Sequence, residues 1–240
     1  MTTPPVAYCG TAAIPAEVWT SWNLDPLVML ALCALATGVW KCSQGAARLA
    51  GFAGVGLLAV IFLSPLCALS AALFSARVVH HVVLIAGVAP LLALAFPTGR
   101  QRPLALLFVM HLAFLWLWHV PGVYAWAVGS LTGYWLMQAS LLGSAVMLWR
   151  EVLRPGADPA AGVAALLGTV AQMGLLGALI TFAPRALYPA HAMTTEIWGL
   201  SALEDQQLAG LIMWVPAILP YLAAALFMVI GRLFPPEAVR

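Results

Sequence analysis

The sequence predicts an all-α integral membrane protein: a seven-helix transmembrane bundle with its N-terminus outside and its C-terminus inside. Three observations predict it. Charged residues make up 8% of the 240-residue chain and apolar residues 64%, far from the roughly 25% charged of a soluble domain, so water is not the solvent for most of the surface. Seven apolar runs follow one another, each close to the roughly 20 residues a membrane-spanning helix needs. The basic residues are unevenly shared between the run ends. Lys41, Arg48, Arg100, Arg102, Arg150, Arg154, Arg232 and Arg240 fall at one set, and only Arg77 and Arg185 at the other. The basic side is the cytoplasmic one.

In order, the runs are Leu27 to Trp40, Leu49 to Cys67, Val78 to Pro97, Leu104 to Val120, Leu131 to Trp149, Ala160 to Ala183 and Leu208 to Ile230. The first reaches spanning length only when extended outward to Trp22, giving spans at about 24–40, 49–67, 78–97, 104–120, 131–149, 160–183 and 208–230. The chain reads as one transmembrane domain, 1–240, with a short outer segment, 1–23. Pro90 in the third run and Pro216 and Pro220 in the seventh remove backbone hydrogen bonds and predict kinks. Gly168, Gly174, Gly177 and Ala178 in the sixth run form a small-residue surface for close helix packing. Ser201-Ala202-Leu203-Glu204 has the spacing of a capping box, so the seventh helix is expected to begin there. Asp205 then falls in its first turn, where the helix dipole favours negative charge. Trp19, Trp22, Trp126, Trp135 and Trp198 on the outer side, with Trp40 and Trp149 on the inner, read as interfacial belts.

Several function classes are excluded. The net charge of +2 is spread over four cytoplasmic ends and forms no patch for nucleic acid. Met1 to Pro5 has no basic n-region, so no cleavable signal is expected and the first run stays as a span. The longest loop, Pro184 to Gln207, is too short for a soluble domain. Chemistry therefore has only helix ends and short loops to use. Cys33, within the first span, reads as a small buried apolar residue. Cys9 and Cys67 fall on the outer side, where they either pair as a disulfide, act as soft ligands for monovalent copper, or stay unpaired.

Polar groups inside spans are expensive and point to function. His80 and His81 are consecutive in the third run, about 100° apart on a helix. Arg77 lies three and four residues before them, close enough to share a face with either. His111 and His119 in the fourth run are about 12 Å apart along the helix, at two depths of one groove, His111 near the midplane. Gln206 and Met213 fall on nearly one face of the seventh helix, with Asp205 beside them. His191, in a loop, is expected to be solvated. Imidazole, thioether and carboxylate on one side of a membrane suit copper, although histidine alone also suits haem or zinc.

From Trp22 to about Phe234 the chain resembles the CtaG-type cytochrome c oxidase assembly factors. Four segments carry the likeness. They are Trp22-Asn23-Leu24-Asp25-Pro26; Leu73 to His81, running on to Ala89-Pro90-Leu91-Leu92; Trp118-His119-Val120-Pro121; and Leu203-Glu204-Asp205-Gln206-Gln207-Leu208-Ala209-Gly210-Leu211-Ile212-Met213-Trp214. The resemblance implies a multi-span protein of the bacterial plasma membrane that is not an enzyme. Its expected role is to aid delivery of copper, as Cu(I), to the binuclear centre of a haem-copper oxidase. Its partners would be an oxidase subunit, a copper-donor protein and membrane lipid, with no nucleic acid.

The resemblance carries His81, His119, Asp205 and Met213 as metal-site residues, and His80 joins them as an added imidazole. His111, Arg77, Gln206, Cys9 and Cys67 are possible additions. One departure stands out: the third helix of the family begins with a His-Met pair where this chain has Arg77 and Val78. A metal-free scaffold for oxidase assembly and a bis-histidine haem cytochrome are the alternatives. A retinal protein is excluded, because its Schiff base needs a lysine within the bundle and the only lysine is Lys41.

Overall fold

The computed structural model describes residues 8–233. Arg240 and the Met1 to Pro5 stretch, on which parts of the sequence reading rest, lie outside them. Every described element is helical: α1 (Pro26–Cys42), α2 (Gly45–Leu63), α3 (Pro65–Ala72), α4 (Phe74–Ala95), α5 (Leu104–Trp118), α6 (Pro121–Gly129), α7 (Leu131–Val152), α8 (Pro159–Thr181), α9 (Ala202–Trp214) and α10 (Leu219–Leu233). Five stretches are long and apolar enough to cross a membrane: α2, α4, α7, α8 and α9 continued into α10. A sixth is formed if α5 and α6, bent by 79° at their junction, count as one. Helix α1 is apolar but only 17 residues long. The seven expected runs are thus all helical, but the first and fourth are not straight spans of full length.

Proline sets most of the departures. The second run is not one helix to Cys67: it breaks at Ser64, which caps Leu66 N–H, and Pro65 opens α3 at a position where its missing N–H costs nothing. In α4, Val83–Val88 winds as a π-turn just ahead of Pro90. Ala89 N–H donates to Leu84 there rather than to Ile85. The freed Ile85 carbonyl accepts the Trp149 indole N–H at 3.0 Å. Trp149 is only 2% exposed, which corrects its reading as a membrane-interface residue. Cys33, read as buried, is exposed instead. In the seventh run, Pro216–Ile218 forms a 3-10 turn between α9 and α10.

Two features fix the helices that carry the site. The Ser201–Glu204 capping box is present at the start of α9. A Cβ on Gly177 of α8 would come within 2.8 Å of the Gly210 carbonyl oxygen, and one on Gly210 within 2.6 Å of the Gly177 oxygen. The glycine pair therefore lets α8 and α9 touch backbone to backbone, the close approach expected of the small-residue surface.

Candidate functional site

Helix α4 starts at Phe74, and its first turn leaves backbone N–H groups without intrahelical partners. Asp205, one turn into α9, supplies the missing acceptor. Its carboxylate accepts from Phe74 N–H at 2.6 Å, from Ser75 N–H at 3.1 Å and from the Ser75 hydroxyl. Asp205 thus sits in the first turn of its own helix, as expected, but its oxygens serve the neighbouring one. Gln206 beside it is committed too, accepting from Leu187 N–H at 2.6 Å and donating to the Ile180 and Arg185 carbonyls.

Helix α4 then presents Arg77, His80 and His81, which are 1%, 0% and 7% exposed. Arg77 stands over the Tyr134 ring, 5.3 Å from its centroid. An ion pair with Asp205, or a place among lipid headgroups, would be the ordinary roles for such an arginine. Among the described residues the ion pair is Arg154 with Glu151, and Arg77 is buried. The His80 ring packs edge-on against Phe62 and His81, with centroids at 5.0 and 5.8 Å, and neither of its nitrogens has a hydrogen-bond partner. His81 Nε2 accepts a long bond from the Gln138 amide at 3.4 Å.

His119 reaches the same region because α5 ends there. Pro121 cannot continue the helix, so the chain turns at His119 and restarts as α6. His119 N–H bonds to Trp116, and its ring Nδ1–H donates to the Leu115 carbonyl at 2.7 Å. That bond fixes the neutral tautomer whose lone pair is on Nε2. His119 lies within electrostatic reach of His81. His111 is not part of this group: its Nδ1 pairs with the Ser144 hydroxyl at 2.9 Å, deeper in the bundle. Met213 is buried on α9, eight residues beyond Asp205 and so about 12 Å farther along the axis.

Two segments close over the cluster. The loop before α9 folds His191 inward, which corrects its reading as solvated: it is 3% exposed, and its Nε2 pairs with the Tyr124 hydroxyl at 2.7 Å. Burial, with the nearby Arg77 charge, lowers its pKa to about 4. Tyr188 in the same loop donates to the His119 carbonyl at 2.9 Å, and burial raises its phenol pKa. On the other flank, Cys9 and Cys67 form a disulfide, which resolves the three sequence alternatives. The stapled segment is held further by Tyr8, whose hydroxyl donates to Asp25 at 2.6 Å, the same carboxylate that accepts Leu27 N–H at 2.8 Å.

The structure therefore gathers Arg77, His80, His81 and His119, with Asp205 holding the start of the helix that carries the first three, and leaves His111 apart. Among the described residues, no group of three or more His, Cys, Asp or Glu side chains has metal-holding geometry. Tyr124, Tyr134 and Gln138 are absent from the residues singled out by sequence, and His191 was read there as solvated. Gln138 and Tyr134 were detectable as polar groups within an apolar run. Nothing local marks His191.

Fold and cluster together define a multi-span helical membrane protein with an imidazole-rich site at one end of its bundle. The chain belongs to the cytochrome c oxidase caa3 assembly factor family (Caa3_CtaG), whose family model matches residues 100–233. That span holds His119, Asp205, Gln206 and Met213 and begins after His80 and His81. No curated protein and no solved structure matches the chain.

Proposed function

We propose that the chain aids copper delivery to a haem-copper oxidase from the outer side of a bacterial plasma membrane, with Cu(I) as cargo passed between His81 and His119. The observation that carries this reading is the state of His119. Its Nδ1–H is tied to Leu115, so its Nε2 lone pair is left free at a broken helix end, the arrangement by which hydrogen-bonded imidazoles serve as metal ligands. A cuprous ion at His81 would take the lone pair that now accepts the long Gln138 bond. Two imidazoles suffice for a cuprous ion in transit, which tolerates low coordination numbers. His80 adds a third imidazole beside the pair, and the Met213 thioether a soft ligand deeper in the bundle. Asp205 acts through position, by holding the start of the helix that carries His80 and His81.

Membership of an assembly-factor family accords with a non-enzymatic role, an oxidase subunit as the receiving partner and a separate protein as the copper donor. The test is copper analysis of protein purified under reducing conditions. Wild-type protein is expected to retain Cu(I) against a cuprous chelator, with at least a tenfold loss in His81→Ala and His119→Ala and none in His111→Ala. A smaller loss is expected in His80→Ala. Equal copper in all four variants, or none in the wild type, overturns the copper reading. It would favour a metal-free scaffold, a reading that draws support from the buried cation beside the imidazoles. A Soret band in the purified protein would favour a haem cytochrome.

A further inference from the structure

Among the described residues, Arg77 is a buried cation with no ion-pair partner. Its guanidinium is charged at any working pH, and its Nε and Nη1 atoms donate to nothing among the described residues. The nearest carboxylate on the facing helix, Asp205, is committed to Phe74 and Ser75. Arg77 also lies in the first turn of α4, where the peptide dipoles present their positive end. Asp205 offsets that helix terminus, worth about half a charge, and compensates the guanidinium only in part. The other neighbours are neutral. Tyr134 offers the face of its ring, an attraction that only partly replaces lost hydration.

Further unpartnered nitrogens surround the charge. Both ring nitrogens of His80, one helical turn beyond Arg77, and Nδ1 of His191, whose ring centroid lies 5.9 Å from that of Phe74 one turn before Arg77, are buried without partners. A buried cation among unused donors is costly unless an anion completes it. Such a cluster repels a metal ion from the Arg77 side and attracts negative charge. The positive charge left over is at most one, which suits a monoanion and not a dianion, and N–H groups spread over a guanidinium and two imidazoles match the several lone pairs of a carboxylate.

We propose that Arg77, His80 and His191 bind a carboxylate. Arg77 supplies the charge and two N–H donors, and the neutral imidazoles supply the remaining ring N–H groups. The ligand enters past the Pro189–Trp198 segment, which begins and ends in short 3-10 turns and places His191 over the site. A small free acid and a fatty acid from the bilayer offer the same group. The binding does not depend on copper, although a bound carboxylate would offset the repulsion between Arg77 and a cuprous ion at His81.

The test is calorimetric titration of copper-free protein in lipid nanodiscs, with acetate as the free acid and decanoate as the membrane-borne one. Saturable binding of at least one is expected, with more than tenfold loss in Arg77→Gln. His191→Leu, which leaves the buried cation in place, should weaken binding about tenfold. It keeps the proposal testable if Arg77→Gln does not fold. Binding of acetate alone assigns an aqueous ligand, and binding of decanoate alone a lipid one. Absence of saturable binding by either, affinity unchanged in both variants, or displacement by an equal concentration of chloride would overturn the proposal.

Discussion

Asp205 holds the start of the helix that bears His80 and His81: its carboxylate accepts the Phe74 N–H at 2.6 Å across 131 positions of sequence. The carboxylate most readily read as a ligand thus positions the imidazoles. Asp205→Ala would leave two backbone N–H groups and the Ser75 hydroxyl buried without an acceptor, at a cost of about 3 kcal/mol. Asp205→Asn keeps one acceptor oxygen and should lose about half as much. Thermal unfolding in detergent measures both. A ligand that acted through charge alone would leave stability unchanged in either.

The topology expected from the basic residues can be tested with cysteines at exposed loop positions. Met193 is 91% exposed, and Gly99 is exposed in the loop between α4 and α5. With Cys33 and Cys42 replaced by serine, an impermeant maleimide applied to intact cells should label Met193→Cys and spare Gly99→Cys. The reverse pattern would invert the protein in the membrane and place the histidine cluster on the cytoplasmic side.

His191 makes stability depend on pH. Its pKa falls from about 6.5 in the unfolded chain to about 4 in the fold, through burial first and Arg77 second. The unfolded chain therefore binds more protons between those values, and stability present above pH 6.5 is lost as pH falls toward 4. The loss approaches about 3 kcal/mol at the lower end. Unfolding midpoints between pH 7 and 4.5 should fall in the wild type, and this component of the slope should vanish in His191→Phe. An identical slope in the variant would show that His191 is not the titrating group.

The Cys9–Cys67 disulfide closes a loop of 58 residues, worth up to about 4 kcal/mol by chain entropy. Cys67→Ser should speed hydrogen exchange in residues 8–25 and lower the unfolding midpoint, while α8 and α9 exchange as before. Uniform loosening of the whole bundle would mean that the staple secures more than the outer segment.

The helices were legible in the sequence because each is a local pattern. Apolar runs, proline breaks and the Ser201–Glu204 box act within a few residues, and so the helix-packing face at Gly177 could be read as well. The site was legible only as a set of residue types. Asp205 finds Phe74, and His191 finds Tyr124, through tertiary folding that no periodicity encodes. Trp149 was misread for the same reason: its partner, the Ile85 carbonyl, is freed by a π-turn in another helix. Burial of Arg77 ran against the ordinary expectation for a cation at a helix end, since nothing local announces the Tyr134 ring packed against it.

The most direct test of the account is the copper content of the oxidase itself, in a strain lacking this protein and complemented with wild type, His81→Ala or His119→Ala. Copper at the binuclear centre is measured per haem, and the assembly factor is quantified in the membrane. The account predicts an oxidase with its haems inserted but its copper depleted in both variants, at normal levels of the factor. A copper-replete oxidase in both, at those same levels, would contradict it.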